Sequence, residues 1–198
     1  MHWKDEKGYS LLEALTTLVF SGFLMLSLSD FLVFQSNFWI SQNLIAATQQ
    51  QVGNAMKILT NDIQAIGFNN SGADLTLARS SSFAFKFDRD GNGSSDTITY
   101  NRDTSMKENP KLIRERQTTT VVGKKSTQVS SEQTLAEHVT LLTFRYFDHQ
   151  GTEFTDLPLN GSDRAQVKLI KVELSTQIIL PSGLKKEFLL ESSIRLRN

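Results

Sequence analysis

The first third of the chain carries a continuous apolar run that gives way to a regularly spaced apolar stripe. Residues 14–29 are almost all apolar or small. Between residues 9 and 34, only Glu13 and Asp30 are charged. A bilayer crossing needs roughly 20 predominantly apolar residues in helical conformation. Residues 9–34 are therefore predicted to form a transmembrane helix.

The helical pattern continues beyond this run, over residues 35–67, without an interrupting proline. Its apolar positions, spaced by seven, four, three, four and three residues, are Ile45, Val52, Met56, Leu59, Ile63 and Ile66. This spacing predicts an amphipathic helix with a single apolar face. We interpret that face as domain core rather than a coiled coil, because the repeat is short. Gly67 is the expected end of the helix.

After Gly67 the pattern changes to the alternation that is typical of strands, and residues 68–198 are predicted to form a β-rich globular domain. Phe83, Phe85 and Phe87 alternate with polar or small residues, and Val139–Phe147 is rich in β-branched and aromatic residues. The predicted fold class is α+β: a long transmembrane-plus-amphipathic helix packed on an antiparallel β-sheet domain.

Two further segments of this region have distinct patterns. Gln166–Leu180 and Leu184–Leu196 flank a Pro-Ser-Gly break, which predicts a final pair of strands joined by a tight turn. Thr118–Gln133 is rich in Thr, Ser, Gln and Lys and has few apolar residues. We predict that this segment is an exposed loop.

Composition excludes several kinds of function. The 198 residues carry 21 basic and 21 acidic side chains. The chain therefore lacks the excess of basic residues that is typical of nucleic-acid-binding proteins. The chain has no cysteine, which excludes disulfides and thiolate metal sites. Its histidines lie far apart in sequence, and no nucleophile elbow, phosphate loop or HExxH motif occurs. We therefore expect neither an enzyme nor a small-molecule substrate.

The N-terminal end of the apolar run is the most informative feature. A carboxylate within a membrane helix is costly, so Glu13 is a candidate functional residue. Residues 1–8 form a short charged leader, which puts the basic residues Lys4 and Lys7 on the N-terminal side of the apolar run. By the positive-inside rule, this asymmetry in basic residues predicts that the N-terminus lies in the cytoplasm.

This N-terminus resembles those of type IV prepilins and pseudopilins. Their signature is a short basic leader that ends in glycine, followed by an aromatic residue and, four residues later, a glutamate; Gly8, Tyr9 and Glu13 match it. The resemblance implies cleavage between Gly8 and Tyr9 by a prepilin peptidase and methylation of the new N-terminus. It also implies that Glu13 pairs with the terminal amine of a neighbouring subunit during assembly. Asp30 stands where many major pilins have a proline, and we interpret it as a residue that reaches water.

Two softer matches refine the resemblance. Asn61–Phe68 and the closing Ser193–Asn198 resemble the minor-pilin W and pseudopilin J group. This implies a minor subunit that primes or caps a type IV pilus or a type II secretion pseudopilus. Its expected partners are other minor pilins or pseudopilins, and its expected location is the inner membrane, in a single pass with a periplasmic domain, and later the filament tip. The alternative is a single-pass, calcium-binding adhesin or sensor that never polymerises.

A second candidate site, a set of possible calcium ligands, lies in a predicted hairpin turn. Oxygen-bearing side chains recur at alternate positions and a glycine follows, as in the first half of an EF-hand loop. The candidate calcium ligands are Asp88, Asp90, Asn92, Ser94 through its backbone carbonyl, and Asp96. The bidentate glutamate of the full motif is missing, since Thr99 occupies its position. Asp-Gly and Asn-Gly pairs also form hairpin turns without an ion, whereas repulsion among the three carboxylates favours calcium.

Overall fold

The structure is a computed structural model that describes residues 11–66, 75–87, 95–122 and 125–196. The chain forms two compact units, Met1–Ile45 and Ala46–Asn198. One helix, α1 (Leu11–Gln64, 54 residues), contributes to both units and ends in a turn at Ala65 and Ile66. Gly67, the expected end of the helix, lies outside the described residues.

In the first unit, α1 presents an apolar surface. Every residue from Leu11 to Ile40 is exposed, and the large apolar side chains among them include Phe20, Phe23 and Phe34. This part of the helix is long and apolar enough to cross a membrane.

The second unit contains two antiparallel sheets rather than the single sheet that we expected. The larger has five strands in sequence order: β1 (Leu75–Ala78), β2 (Ser82–Phe87), β3 (Ser95–Asp103), β4 (Lys111–Val122) and β5 (Lys125–Ala136). The smaller has three: β6 (Val139–Phe147), β7 (Leu169–Ile179) and β8 (Lys185–Arg195). The described part of the chain therefore has an α+β fold.

The stripe of α1 supplies the predicted cover for the strands. Val52 is 1% exposed, and Leu59 and Ile63 are completely buried. They belong to one core cluster with apolar residues of both sheets. The two sheets meet through aromatic rings: the ring of Phe83 on β2 stacks on that of Phe144 on β6 with centroids 5.4 Å apart. This contact joins both sheets into one core.

The predicted hairpin near the C-terminus is confirmed, with β7 and β8 paired from Leu169–Arg195 to Ile179–Lys185. The preceding residues differ from the prediction. Gln166 belongs to a short helix, α2 (Gly161–Gln166), instead of a strand. The side chain of Asn160 caps this helix by accepting a hydrogen bond of 2.9 Å from the backbone N–H of Asp163.

The prediction of a loop over Thr118–Gln133 is wrong. The described residues of this range lie in β4 and β5, which pair along their length, for example Thr118 with Val129. Every residue from Thr127 to Thr134 is exposed, so neither face of β5 is buried there. Apolar and polar residues alternate along a strand when one of its faces is buried. A strand that is solvated on both faces has no such alternation, so its sequence resembles that of a loop.

Candidate functional site

Glu13 lies in the first turn of α1, with its side chain exposed. Its backbone carbonyl accepts hydrogen bonds from two hydroxyls, that of Thr16 at 3.0 Å and that of Thr17 at 2.7 Å. A carboxylate in the first turn is stabilised by the positive end of the helix dipole. The start of the helix is thus a favourable place for this charge.

A polar stripe continues from Glu13 along the same face of the helix. Thr17 and Ser21 follow at intervals of four residues, and the hydroxyl of Ser21 donates to the carbonyl of Thr17 at 2.8 Å. With Ala14 and Leu18, these residues line a surface depression of about 450 Å³. Because both hydroxyls are satisfied within the helix and the side chains are small, another helix can approach this face closely.

The two predicted processing residues, Gly8 and Tyr9, lie outside the described residues. The same holds for four of the candidate calcium ligands, Asp88, Asp90, Asn92 and Ser94. Of the candidate calcium ligands, only Asp96 is described.

Asp96 is a buried residue of β3, with 7% of its surface exposed. Its Oδ2 atom lies 2.5 Å from Nη2 of Arg116, and its Oδ1 atom accepts a hydrogen bond of 2.5 Å from the hydroxyl of Thr118. Both partners are on β4, so this carboxylate links neighbouring strands. A calcium ion bound directly by Asp96 would compete with the Arg116 guanidinium at Oδ2 and with the Thr118 hydroxyl at Oδ1.

Among the described residues, no group of three or more His, Asp or Glu side chains is placed to hold a metal ion. His138 and His149 are both exposed. Calcium binding by the 88–96 segment therefore remains a prediction.

The sequence reasoning missed a polar cluster at the end of α1. Oδ2 of Asp62 accepts hydrogen bonds from Oη of Tyr100 at 2.5 Å and from Nε of Arg114 at 2.7 Å. Tyr100 is completely buried. Burial raises the pKa of Tyr100 above its usual range, and the Asp62 carboxylate raises it further. The three side chains join α1 to β3 and β4.

No protein-family model matches the chain, and no curated protein matches it significantly in sequence. The described residues define an α+β protein with a long apolar N-terminal helix.

Proposed function

We propose that this protein is a minor pilin or pseudopilin, a structural subunit that primes or caps the assembly of a type IV pilus or a type II secretion pseudopilus. The observation that carries the proposal is helix α1. It is one helix from Leu11 to Gln64, with Glu13 in its first turn, an exposed apolar segment next and core residues of the β-rich unit at its end. Such a helix suits a subunit that is first held in a membrane and then packed beside others.

Glu13 is the assembly residue in this proposal. Cleavage behind Gly8 would leave Tyr9 with a free α-amine, a group that is mostly cationic at neutral pH. Pairing that amine with Glu13 of a neighbouring subunit offsets part of the cost of keeping the carboxylate in the membrane, and it fixes the register between helices. The small side chains of Thr17 and Ser21 support close helix packing beside the pair.

The proposed location follows from the same helix. The chain crosses the inner membrane once, with its basic leader in the cytoplasm and the β-rich unit in the periplasm. Prepilin peptidase processes it there. Its partners are other minor pilins or pseudopilins, which it meets at the filament tip.

The test is the chemical identity of the mature N-terminus. Mass spectrometry of protein purified from membranes is expected to find N-methyl-Tyr9 as the first residue. A matched Gly8→Leu variant should keep its leader and remain in the membrane. An intact Met1 in the unaltered protein, or a cut beyond Ser29, would refute the proposal and leave the non-polymerising, calcium-binding surface protein as the better one.

A further inference from the structure

Strand β8 is an edge of the three-stranded sheet, and half of its backbone groups point away from β7. Leu196 N donates to the carbonyl of Lys168, and the carbonyl of Leu184 accepts from Leu180 N, each at 2.9 Å. Between these two bonds, the residues of β7 and β8 pair one to one without a bulge. Even-numbered residues of β8 therefore face β7, and the odd-numbered residues direct their N–H and C=O groups outward. In the described part of the chain, β8 pairs with no other strand.

An open groove lies beside this edge. It has a volume of about 480 Å³, and its lining residues are Gln49 and Val52 of α1 with Glu187, Phe188, Leu189 and Leu190 of β8. Leu189 is 54% exposed and Leu190 is 37% exposed. The groove thus offers apolar side chains next to outward-facing backbone groups, which is the combination that a bound strand uses.

The face of β8 that is turned toward the helix carries a basic, an aromatic and an apolar side chain in order. Lys186, Phe188 and Leu190 lie opposite the β7 residues that face the core, and so they point to the helix side of the sheet. The Lys186 ammonium lies 5.6 Å from the centre of the Phe188 ring. From the turn onward, this face of β8 therefore presents a cation, an aromatic ring and a leucine, and the last two also line the groove. Lys185, on the other face, adds a second positive charge at the same end.

We propose that β8 binds an extended segment of another polypeptide as an added antiparallel strand. The bound segment places a carboxylate side chain opposite Lys186 and apolar side chains opposite Phe188 and Leu190. Its alternate backbone groups bond to the odd-numbered residues of β8. The outward-facing backbone groups select a polypeptide over a compact small molecule, and the lysines near the turn select one end of the segment to be acidic. The proposal goes beyond filament assembly and does not depend on it.

The test uses the full chain in detergent micelles and a fluorescent probe peptide, Thr-Lys-Val-Thr-Val-Lys-Glu-Glu, followed by fluorescence anisotropy. The probe's central threonine is designed to lie opposite Leu189, where its N–H faces β8. Methylating that nitrogen should weaken binding about tenfold through the loss of one hydrogen bond. Methylating the nitrogen of the second valine, which faces away from β8, should leave the affinity unchanged.

A second experiment exchanges the charges of the probe and of β8. A probe that ends in Lys-Lys should bind the unaltered chain more weakly. The double variant Lys185→Glu, Lys186→Glu, which changes two exposed side chains, should reverse this preference. Absence of binding, equal affinity for the two methylated probes, or no reversal would overturn the proposal. Concentration-dependent dimerisation that the probe cannot displace would also overturn it, because a second copy would then occupy the edge.

Discussion

The Oη atom of Tyr100 lies 2.5 Å from Oδ2 of Asp62, so a single hydrogen bond joins the middle of β3 to the last turns of α1. Arg114 donates to the same carboxylate oxygen from the neighbouring strand. The side chains of Asp62 and Arg114 are only 21% and 18% exposed. The cluster is therefore a charged contact at the edge of the core. Loss of a hydrogen bond there should lower the stability of the fold.

The Tyr100→Phe substitution should lower the free energy of unfolding by about 1.5–3 kcal/mol, because the lost hydrogen bond has a charged acceptor. Urea denaturation of the full chain in micelles measures this change. Tyr146→Phe is the matched control: Tyr146 is equally buried, but its hydroxyl donates to the neutral carbonyl of Arg79 at 2.9 Å. The control should lose less, about 0.5–1.5 kcal/mol. A larger loss for the control would contradict the charged contact.

Stability should fall at alkaline pH. Burial raises the pKa of Tyr100 and of Tyr146 in the folded chain, whereas an unfolded tyrosine has a pKa of about 10. Above that pH the unfolded state releases protons that the folded state retains, so the stability present below pH ~10 is progressively lost. Each tyrosine contributes a slope of up to about 1.4 kcal/mol per pH unit. Urea titrations between pH 9 and 11.5 should give a shallower slope for Tyr100→Phe; an unchanged slope would exclude this linkage.

The calcium hypothesis gives different expectations for Asp96 and for the ligands that precede it. Asp96→Asn should destabilise the chain even with a chelator present, because it weakens the bonds to Arg116 and Thr118. Asp88→Ala with Asp90→Ala should have no such effect in chelator, but should abolish the calcium-dependent rise in unfolding temperature. Calorimetric titration of the full chain with calcium provides the direct measurement. Absence of binding at millimolar calcium would refute the site.

Replacing Glu13 separates membrane insertion from assembly. Glu13→Ala should leave the protein in the membrane, since it removes a charge from an apolar helix. It should reduce incorporation into filaments below detection, because the amine of the neighbouring subunit loses its partner. Asp30→Asn is the matched control, an acid of the same helix to which we assign no inter-subunit role. Immunoblots of sheared filaments and of membranes measure both quantities. Normal incorporation of Glu13→Ala would remove the assigned role.

The core-facing stripe of α1 and the strands that bury one face could be predicted, because each of them repeats apolar residues at the period of its own secondary structure. The spacing of Val52, Leu59 and Ile63 reports directly which side of α1 meets the core. The alternation of Phe83 and Phe85, both completely buried, does the same for β2. In such segments, burial of one face makes apolar residues recur at the period of the helix or strand, so the sequence indicates which face is buried.

The remaining features depend on pairings that no local pattern contains. Asp62 and Tyr100 are 38 residues apart in sequence, and they meet only after α1 packs on a sheet of fixed register. Arg114 comes opposite Tyr100 through the pairing of β3 with β4. The sequence could identify Asp62 as part of a resemblance at the helix end, but it could not supply the partners of this carboxylate.

The solvated part of β5 has a consequence for the variation that the chain can tolerate. Residues Thr127–Thr134 contribute no buried side chain, and their backbone pairing with β4 accepts many residue types. Substitutions there change the outer surface of the protein at little cost to folding. This ribbon is therefore the natural place to graft a foreign epitope while the fold is preserved.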